Sequence, residues 1–301
     1  MRWPSIGSRV SLQYRAPVGA DQPLTEVVGH LEARQPAVRI RTKSGELSDI
    51  DPAAVLNVRE LSHAPVRTSQ IRALEHAAAL ACPGTEQHWL HGWLLRAAEE
   101  ATIRVNSAVP LDFSATLEPL SEIIDWYTRH DLPAWLAVPE RVLGIRAAGV
   151  RPTRVMVRDL ADPPGDDATI GLAPAPDPTW LAGYQDDVPA EVLTAVLGGE
   201  VVFASAAGAA VGRGALTRAP DGTRWLGVSA VRVAPGQRRR GYARTICDSL
   251  FTWGAQLSAQ HAYVEVPAED AIAIAFFEAL GFRLHHTRRY LEAAALLPHT
   301  I

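Results

Sequence analysis

Up to Leu61 the chain alternates apolar and polar residues in short runs, over 9–14, 26–32, 38–42, 46–50 and 55–61. Period-two alternation predicts half-buried strands, and Pro23, Pro36, Ser44-Gly45 and Asp51-Pro52 supply the turns between them. Short strands packed so closely predict a small SH3-like β-barrel over 1–62. Tyr14, the one aromatic within these runs, offers no aromatic groove for proline-rich peptides, so this module reads as a docking or stabilising element without chemistry.

Beyond it the apolar spacing lengthens. A helix is expected over 70–81, with Ser69 as its cap and Cys82-Pro83-Gly84 as its stop. Strands are expected over 93–98 and 103–110, a helix over 118–129, and strands over 134–138 and 154–159. Proline, glycine and aspartate then make 162–178 a linker by composition. Further on come helices over 180–186 and 189–197 and strands over 200–205, 210–218 and 223–233. The helix over 242–258 carries Ile246, Leu250, Trp253 and Leu257 on one face. Strand 262–266, a helix ending in Phe276-Phe-Glu-Ala-Leu-Gly-Phe282, and strand 284–291 complete the order.

That order occurs twice. Strand, helix, strand, Val-Pro, helix, Gly-apolar-Arg and strand run from 103 to 159, with Val138-Pro139 and Gly149-Val-Arg151 as markers. The same succession runs to 291, with Val266-Pro267 and Gly281-Phe-Arg283. The chain therefore reads as a degenerate half over 63–161, the linker, and a complete unit over 179–301.

Composition narrows the class. Hydrophobic residues are 48% and charged residues 21% of the 301, ordinary values for a soluble globular protein. A net charge of −4 gives no global basic field, so no nucleic-acid partner is expected. Cys82 and Cys247 stand far apart and in no metal-ligand spacing, which suits a reducing cytoplasm and predicts no metal. No apolar run approaches a membrane span. Lys43 is the single lysine, all other basic side chains apart from histidine being arginine.

Basic residues gather at one place, Val231-Arg-Val-Ala-Pro-Gly-Gln-Arg-Arg-Arg-Gly-Tyr-Ala-Arg244. An apolar strand ends there, a basic turn follows, and a helix opens at Gly241. Helix starts present unpaired N–H groups and a partial positive charge, so they attract anions. Gly241 removes the Cβ that would block a phosphate, and Arg238, Arg239 and Arg240 add forked donors. Neither the Walker pattern nor the dinucleotide G-x-G-x-x-G pattern is present. The spacing Arg238-x-x-Gly241-x-Ala243, with an aromatic ahead of Gly281-Phe282, resembles the GNAT superfamily of N-acetyltransferases. The first copy has Leu111-Asp-Phe-Ser-Ala115 where the second has its basic turn, and so is not expected to bind coenzyme A.

The whole chain is similar to a bacterial GNAT subgroup with an SH3-like N-terminus. The resemblance implies an α/β fold with a mixed sheet, the GNAT acyl-CoA N-acyltransferase fold, duplicated with a degenerate first copy. It implies transfer of an acetyl group from acetyl-CoA to a primary amine, a small molecule or a protein lysine, by direct attack in a ternary complex. Val231 and Val233 would offer backbone to the pantetheine, and Arg238, Arg239, Arg240, Gly241, Tyr242 and Ala243 would hold the diphosphate. Asp270 and Phe277 would complete the cofactor site, in positions where the family usually has asparagine and tyrosine. Phe277 has no proton for the departing thiolate; Tyr263, Tyr290 or a water are the substitutes. Glu265, beside the splay, is the candidate base, with Ser229 as an alternative that orders a water. His285-His286 reads either as a shuttle or as structural histidines, and Asp186 and Asp187 are possible acidic contributors to a lysine-binding groove. The competing class is a non-catalytic acetyl-CoA sensor. Homo-oligomerisation is left open.

Overall fold

The computed structural model describes residues 3–4, 6–16, 24–61, 66–161, 163, 165 and 169–297. Expected punctuation at Pro23, Pro164, Asp166 and Asp167, and the expected boundary at 62–63, lie outside the described residues. Two compact units result, Met1–Val66 and Arg67–Ile301.

The first unit is a sheet of β1 (Arg9–Arg15), β2 (Leu24–Ala33), β3 (Val38–Thr42), β4 (Leu47–Ile50) and β5 (Val55–Glu60). Its strand order is β4-β3-β2-β1-β5 with every neighbour antiparallel. Alternation works as expected: Val38 and Ile40 are buried with Val10, Leu12, Leu31 and Ile50, while Arg39 and Arg41 face water and pair with Asp49 and Glu32. Gly29 permits the close crossing of β2 over β3, since a Cβ there would stand 2.2 Å from the Arg41 carbonyl oxygen.

The second unit opens with α1 (Thr68–Ala81), which starts ahead of the expected Gln70. Arg67, not Ser69, is the cap position, and the Gln70 side chain accepts from the Arg67 N–H at 2.8 Å. A small sheet follows, β6 (Glu86–Leu90), β7 (Trp93–Ala97) and β8 (Val109–Pro110), then α2 (Leu120–Thr128) and β9 (Trp135–Pro139). The rest comprises β10 (Val150–Asp159), β11 (Gly171–Ala173), α3 (Pro178–Tyr184), α4 (Ala190–Thr194), β12 (Glu200–Ala206) and β13 (Ala210–Arg218). The chain ends through β14 (Arg224–Val233), α5 (Tyr242–Gln256), β15 (His261–Pro267), α6 (Ala271–Ala279) and β16 (Arg283–Glu292).

The main sheet has the order β11-β12-β13-β14-β15-β10-β16-β9. Each half expected from the sequence contributes one parallel contact. β14 runs parallel to β15 in the second half, and Ala108, just ahead of β8, bridges in parallel to Leu136 of β9 in the first. Between these two pairs the halves exchange their last strands. β10 pairs with β15 and β16 of the second half, and β16 pairs with β9 of the first. The described residues of the two expected segments, 66–161 and 179–297, therefore share one sheet and cannot part without breaking it.

Three local expectations change. Residues 140–149 form turns instead of a helix, because Pro139 and Gly144 leave too few residues between them for a stable turn of helix. Only Val109–Pro110 of the strand expected over 103–110 forms. Asn106 turns the chain instead, accepting from Ala98 N–H at 2.8 Å and donating to the carbonyls of Ala98 and Ala101. The linker contains β11, which pairs with β12, and ends at Asp177, whose side chain caps α3 by accepting from Trp180 N–H at 2.7 Å.

Candidate active site

β14 is apolar and buried as far as Val228 because helices cover it on both faces: α5 on one side, α1 on the other. Its parallel register with β15 lasts three pairs, Trp225↔His261, Leu226↔Ala262 and Gly227↔Tyr263. Beyond Gly227 the two strands diverge. At the same point Ala230 adopts φ +55° and the register with β13 slips between Val211 and Arg213. A bulge of this kind re-aims the side chains that follow it.

Two concavities meet at the bulge. One is an open groove of about 940 Å³ between the end of β14, the start of α5 and α6. Val231, Val233, Arg238, Arg239, Gly241, Tyr242, Ala243, Asp270 and Phe277, all singled out from the sequence, line it. Arg240 does not; it is exposed beside the groove. Gly241 occupies the cap position of α5 at φ +90°, no side chain caps that end, and a Cβ built there would project into open space. A helix of this length with an uncapped N-terminus and two flanking guanidiniums suits a diphosphate. Ile272, Phe276 and Phe277 give the opposite wall an apolar surface. Asp270 is held as the cap of α6, accepting from Ala273 N–H at 2.9 Å.

The other concavity is a small cavity of about 90 Å³ lined by Ser229 and Ala230 with Cys82, Thr102, Arg104, Tyr184 and Arg213 among its walls. Sequence reading did not single out Arg104, Tyr184 or Arg213. A signal was available, since Arg213 and Arg96 each interrupt an otherwise apolar strand. Arg213 is buried and donates to the carbonyls of Leu193 (2.6 Å), Ala81 (2.9 Å) and Ala195 (3.3 Å), closing the ends of α1 and α4. Arg96 is buried and donates to the Cys82 carbonyl at 2.9 Å and the Arg104 carbonyl at 2.8 Å. The loop that carries Arg104 is thereby fixed.

Glu265 is not free to act as expected. Its side chain is 7% exposed and ion-pairs with Arg104 Nε at 3.0 Å and with Arg288. Arg288 also donates to Glu75 Oε2 of α1 at 2.8 Å. Burial works to raise the Glu265 carboxyl, but Arg104 and Arg288 outweigh it and hold it below its ordinary range. A carboxylate so held is a weak proton acceptor, so the geometry argues against Glu265 as the base and for its role as the anchor of Arg104. Ser229 remains at the cavity wall, half-buried.

The remaining expectations divide. Phe277 packs against Phe276 and Phe282 and supplies no proton. Tyr263 and Tyr290 are buried away from the groove, in clusters under α1. His286 is fully buried and bonds Glu75 through Nε2 at 2.7 Å, with His285 Nδ1 at 2.8 Å from its Nδ1. The pair is structural. Asp186 pairs with Arg232 at 3.0 Å. Both cysteines are free, and burial pushes the Cys247 thiol well up.

A parallel strand pair that splays beside an uncapped helix N-terminus defines an acyltransferase of the GNAT class. Residues 68–291 match the family model described as "Probable histone acetyltransferase Rv0428c C-terminal", and residues 4–59 match "Rv0428c N-terminal Sm-like domain". The chain belongs to this Rv0428c family of acetyltransferases, and the N-terminal unit is more closely specified as Sm-like than as SH3-like. It is 48% identical over 298 residues to "Probable histone acetyltransferase Rv0428c" of Mycobacterium tuberculosis, covering 98% of this chain and 97% of that one. A 58-residue stretch is 41% identical to the N-terminal acetyltransferase B complex catalytic subunit naa20 of Schizosaccharomyces pombe, covering 19% of this chain and 32% of that protein. Among solved structures, a GCN5-related N-acetyltransferase from Kribbella flavida shares the fold, with TM-score 0.51 and 16% identity over 75% of this chain and 95% of that one.

Proposed function

We propose that this chain transfers the acetyl group of acetyl-CoA to a primary amine, by direct attack with both substrates bound. The observation that carries the reading is the bulge at Ala230, which sets the open groove and the small cavity back to back along β14. Acetyl-CoA supplies an acetyl group activated as a thioester. The first-turn amides of α5, with Arg238 and Arg239, would hold its diphosphate, and β14 beyond the splay would offer backbone at Val231 and Val233 to the pantetheine. Phe276 and Phe277 exclude water from that wall. A backbone N–H of β14 at the bulge would polarise the acetyl carbonyl.

The acceptor amine enters from the cavity, where the Ser229 hydroxyl can hold its nitrogen. Transfer joins that nitrogen to the acetyl carbon, breaks the carbon–sulfur bond and moves one proton from nitrogen to sulfur. The relative is named a probable histone acetyltransferase, so protein peptides carrying lysine belong beside small amines in any assay. The test is free-thiol release from acetyl-CoA over such a panel, paired with calorimetry of cofactor binding. Binding together with release supports the reading; binding without release from any amine would return the chain to a sensor.

A further inference from the structure

We infer that the cavity beside Ser229 is an acceptor subsite for a small primary amine bearing a carboxylate, that is, a free amino acid, with Arg104 reading the carboxylate. This inference rests on the acetyl-transfer reading. Arg104 pairs with Glu265, its Nε 3.0 Å from the carboxylate, while no hydrogen bond from its guanidinium to another described residue is seen and its side chain is 29% exposed at the cavity. A guanidinium presents parallel donors that match a carboxylate edge-on. Arg104 is also pre-positioned, with its own carbonyl held by Arg96 at 2.8 Å and Glu265 held from behind by Arg288.

The charge around the cavity points the same way. Arg104 and Arg213 line it, and no carboxylate does among the described residues. Arg96 and Arg213 satisfy their donors on carbonyls and a hydroxyl, so their positive charge is uncompensated nearby. Such a site favours an anion and disfavours a lone ammonium. A lysine side chain would bring a cation to two guanidiniums, whereas an amino acid brings its own counter-charge. The same field favours the neutral amine, which is the nucleophilic form, in a site where Glu265 is a poor base.

The test measures free-thiol release by the full chain, saturated with acetyl-CoA, for the common amino acids and for their carboxamides. A lysine peptide blocked at both ends is the third arm. We expect at least one amino acid to exceed its amide and the peptide in kcat/KM by about tenfold or more. Arg104→Gln should raise KM for that amino acid by a similar factor while acetyl-CoA affinity holds, and Arg104→Lys should recover part of the loss. An amide or the peptide matching the amino acid overturns the inference, and so does cofactor binding with no release from any amino acid. Failure to bind acetyl-CoA at all would instead sink the acetyl-transfer reading. If Arg104→Gln does not fold, the wild-type comparison of acid with amide decides alone.

Discussion

Ser229 and Val231 stand two residues apart on β14, yet Ser229 lines the small cavity and Val231 the open groove. Period-two alternation would put both side chains on one face of the sheet. The left-handed residue between them, Ala230 at φ +55°, breaks that rule. The bulge is therefore what brings the groove and the cavity to neighbouring points on the strand.

The cradle predicts a graded response to charge. Gly241→Asp places a carboxylate where the diphosphate would lie and strains a left-handed position, so acetyl-CoA affinity should fall by more than about tenfold. Arg238→Glu, in the groove wall, should cost about tenfold, while Arg240→Glu, exposed outside it, should cost only about twofold through screened repulsion. Calorimetry of the three variants checks the ranking. Equal losses at Arg238 and Arg240 would mean that charge near the helix matters and the groove wall does not.

Glu265→Gln is expected to act first on stability. It removes the carboxylate shared by two guanidiniums, Arg104 and Arg288, whose side chains are 29% and 4% exposed. Breaking one partner out of a buried ion pair costs about 3 kcal/mol, since the remaining charge keeps its desolvation penalty. Denaturant unfolding should report a loss of that order, together with a higher KM for the acceptor as Arg104 loses its anchor. A variant that unfolds like the parent but turns over slowly, with an altered pH profile, would restore Glu265 as the base.

Much of the open groove is legible in the sequence. Its residues from Val231 to Ala243 follow from one basic turn between a strand and a helix, because local geometry sets what a helix start can bind. Phe277 and Asp270 come from the GNAT resemblance, which places them by their distance from Gly281. The cavity is not legible, since Cys82, Arg104, Tyr184 and Ser229 come from four separate segments and meet only in the folded sheet. The exchange of β10 and β16 between halves is equally hidden, because each strand has the right pattern for either partner. The charged residues inside apolar runs, Glu75, Arg96, Arg213, Glu265 and Arg288, are the readable clue. A charge at a buried position must find a partner, and here most of those partners lie far away along the chain.

Acidification should destabilise the second unit in two stages. Burial first, then His286, hold His285 neutral in the folded state down to about pH 3, against 6.5 for an unperturbed histidine. Between those values the unfolded chain binds more protons, so stability falls as pH falls below about 6.5. His76, lowered by burial, acts in the same direction. Glu75 gives the second stage. Burial alone would raise its carboxyl, but Arg288 and His286 hold it at about 2 against 4.5, so its contribution is present above pH 4.5 and lost towards 2. Urea midpoints followed from about pH 7.5 down to about pH 3 should decline over both windows. His285→Gln should flatten the upper decline and leave the lower one.

Tyr263 offers the sharpest separation of packing from chemistry. Its ring is 1% exposed, and its hydroxyl is buried without a hydrogen-bond partner. It lies so close to β14 that a Cβ on Gly227 would stand 2.4 Å from the hydroxyl oxygen. Tyr263→Phe removes an unsatisfied buried donor and should stabilise the chain by about 1 kcal/mol. Gly227→Ala forces the ring to shift and should cost about 1–3 kcal/mol. In the double variant the ring Cζ would still stand 2.6 Å from the added methyl, so losing the hydroxyl relieves only part of the clash and the combined effect should fall somewhat short of the Gly227→Ala cost alone. If Tyr263 were the proton donor that Phe277 cannot be, Tyr263→Phe would slow turnover; its side chain lines neither the groove nor the cavity, so turnover should not change. Thermal melts and thiol-release rates on the four proteins of this cycle measure both claims, and a slow but stable Tyr263→Phe would reassign the hydroxyl to catalysis.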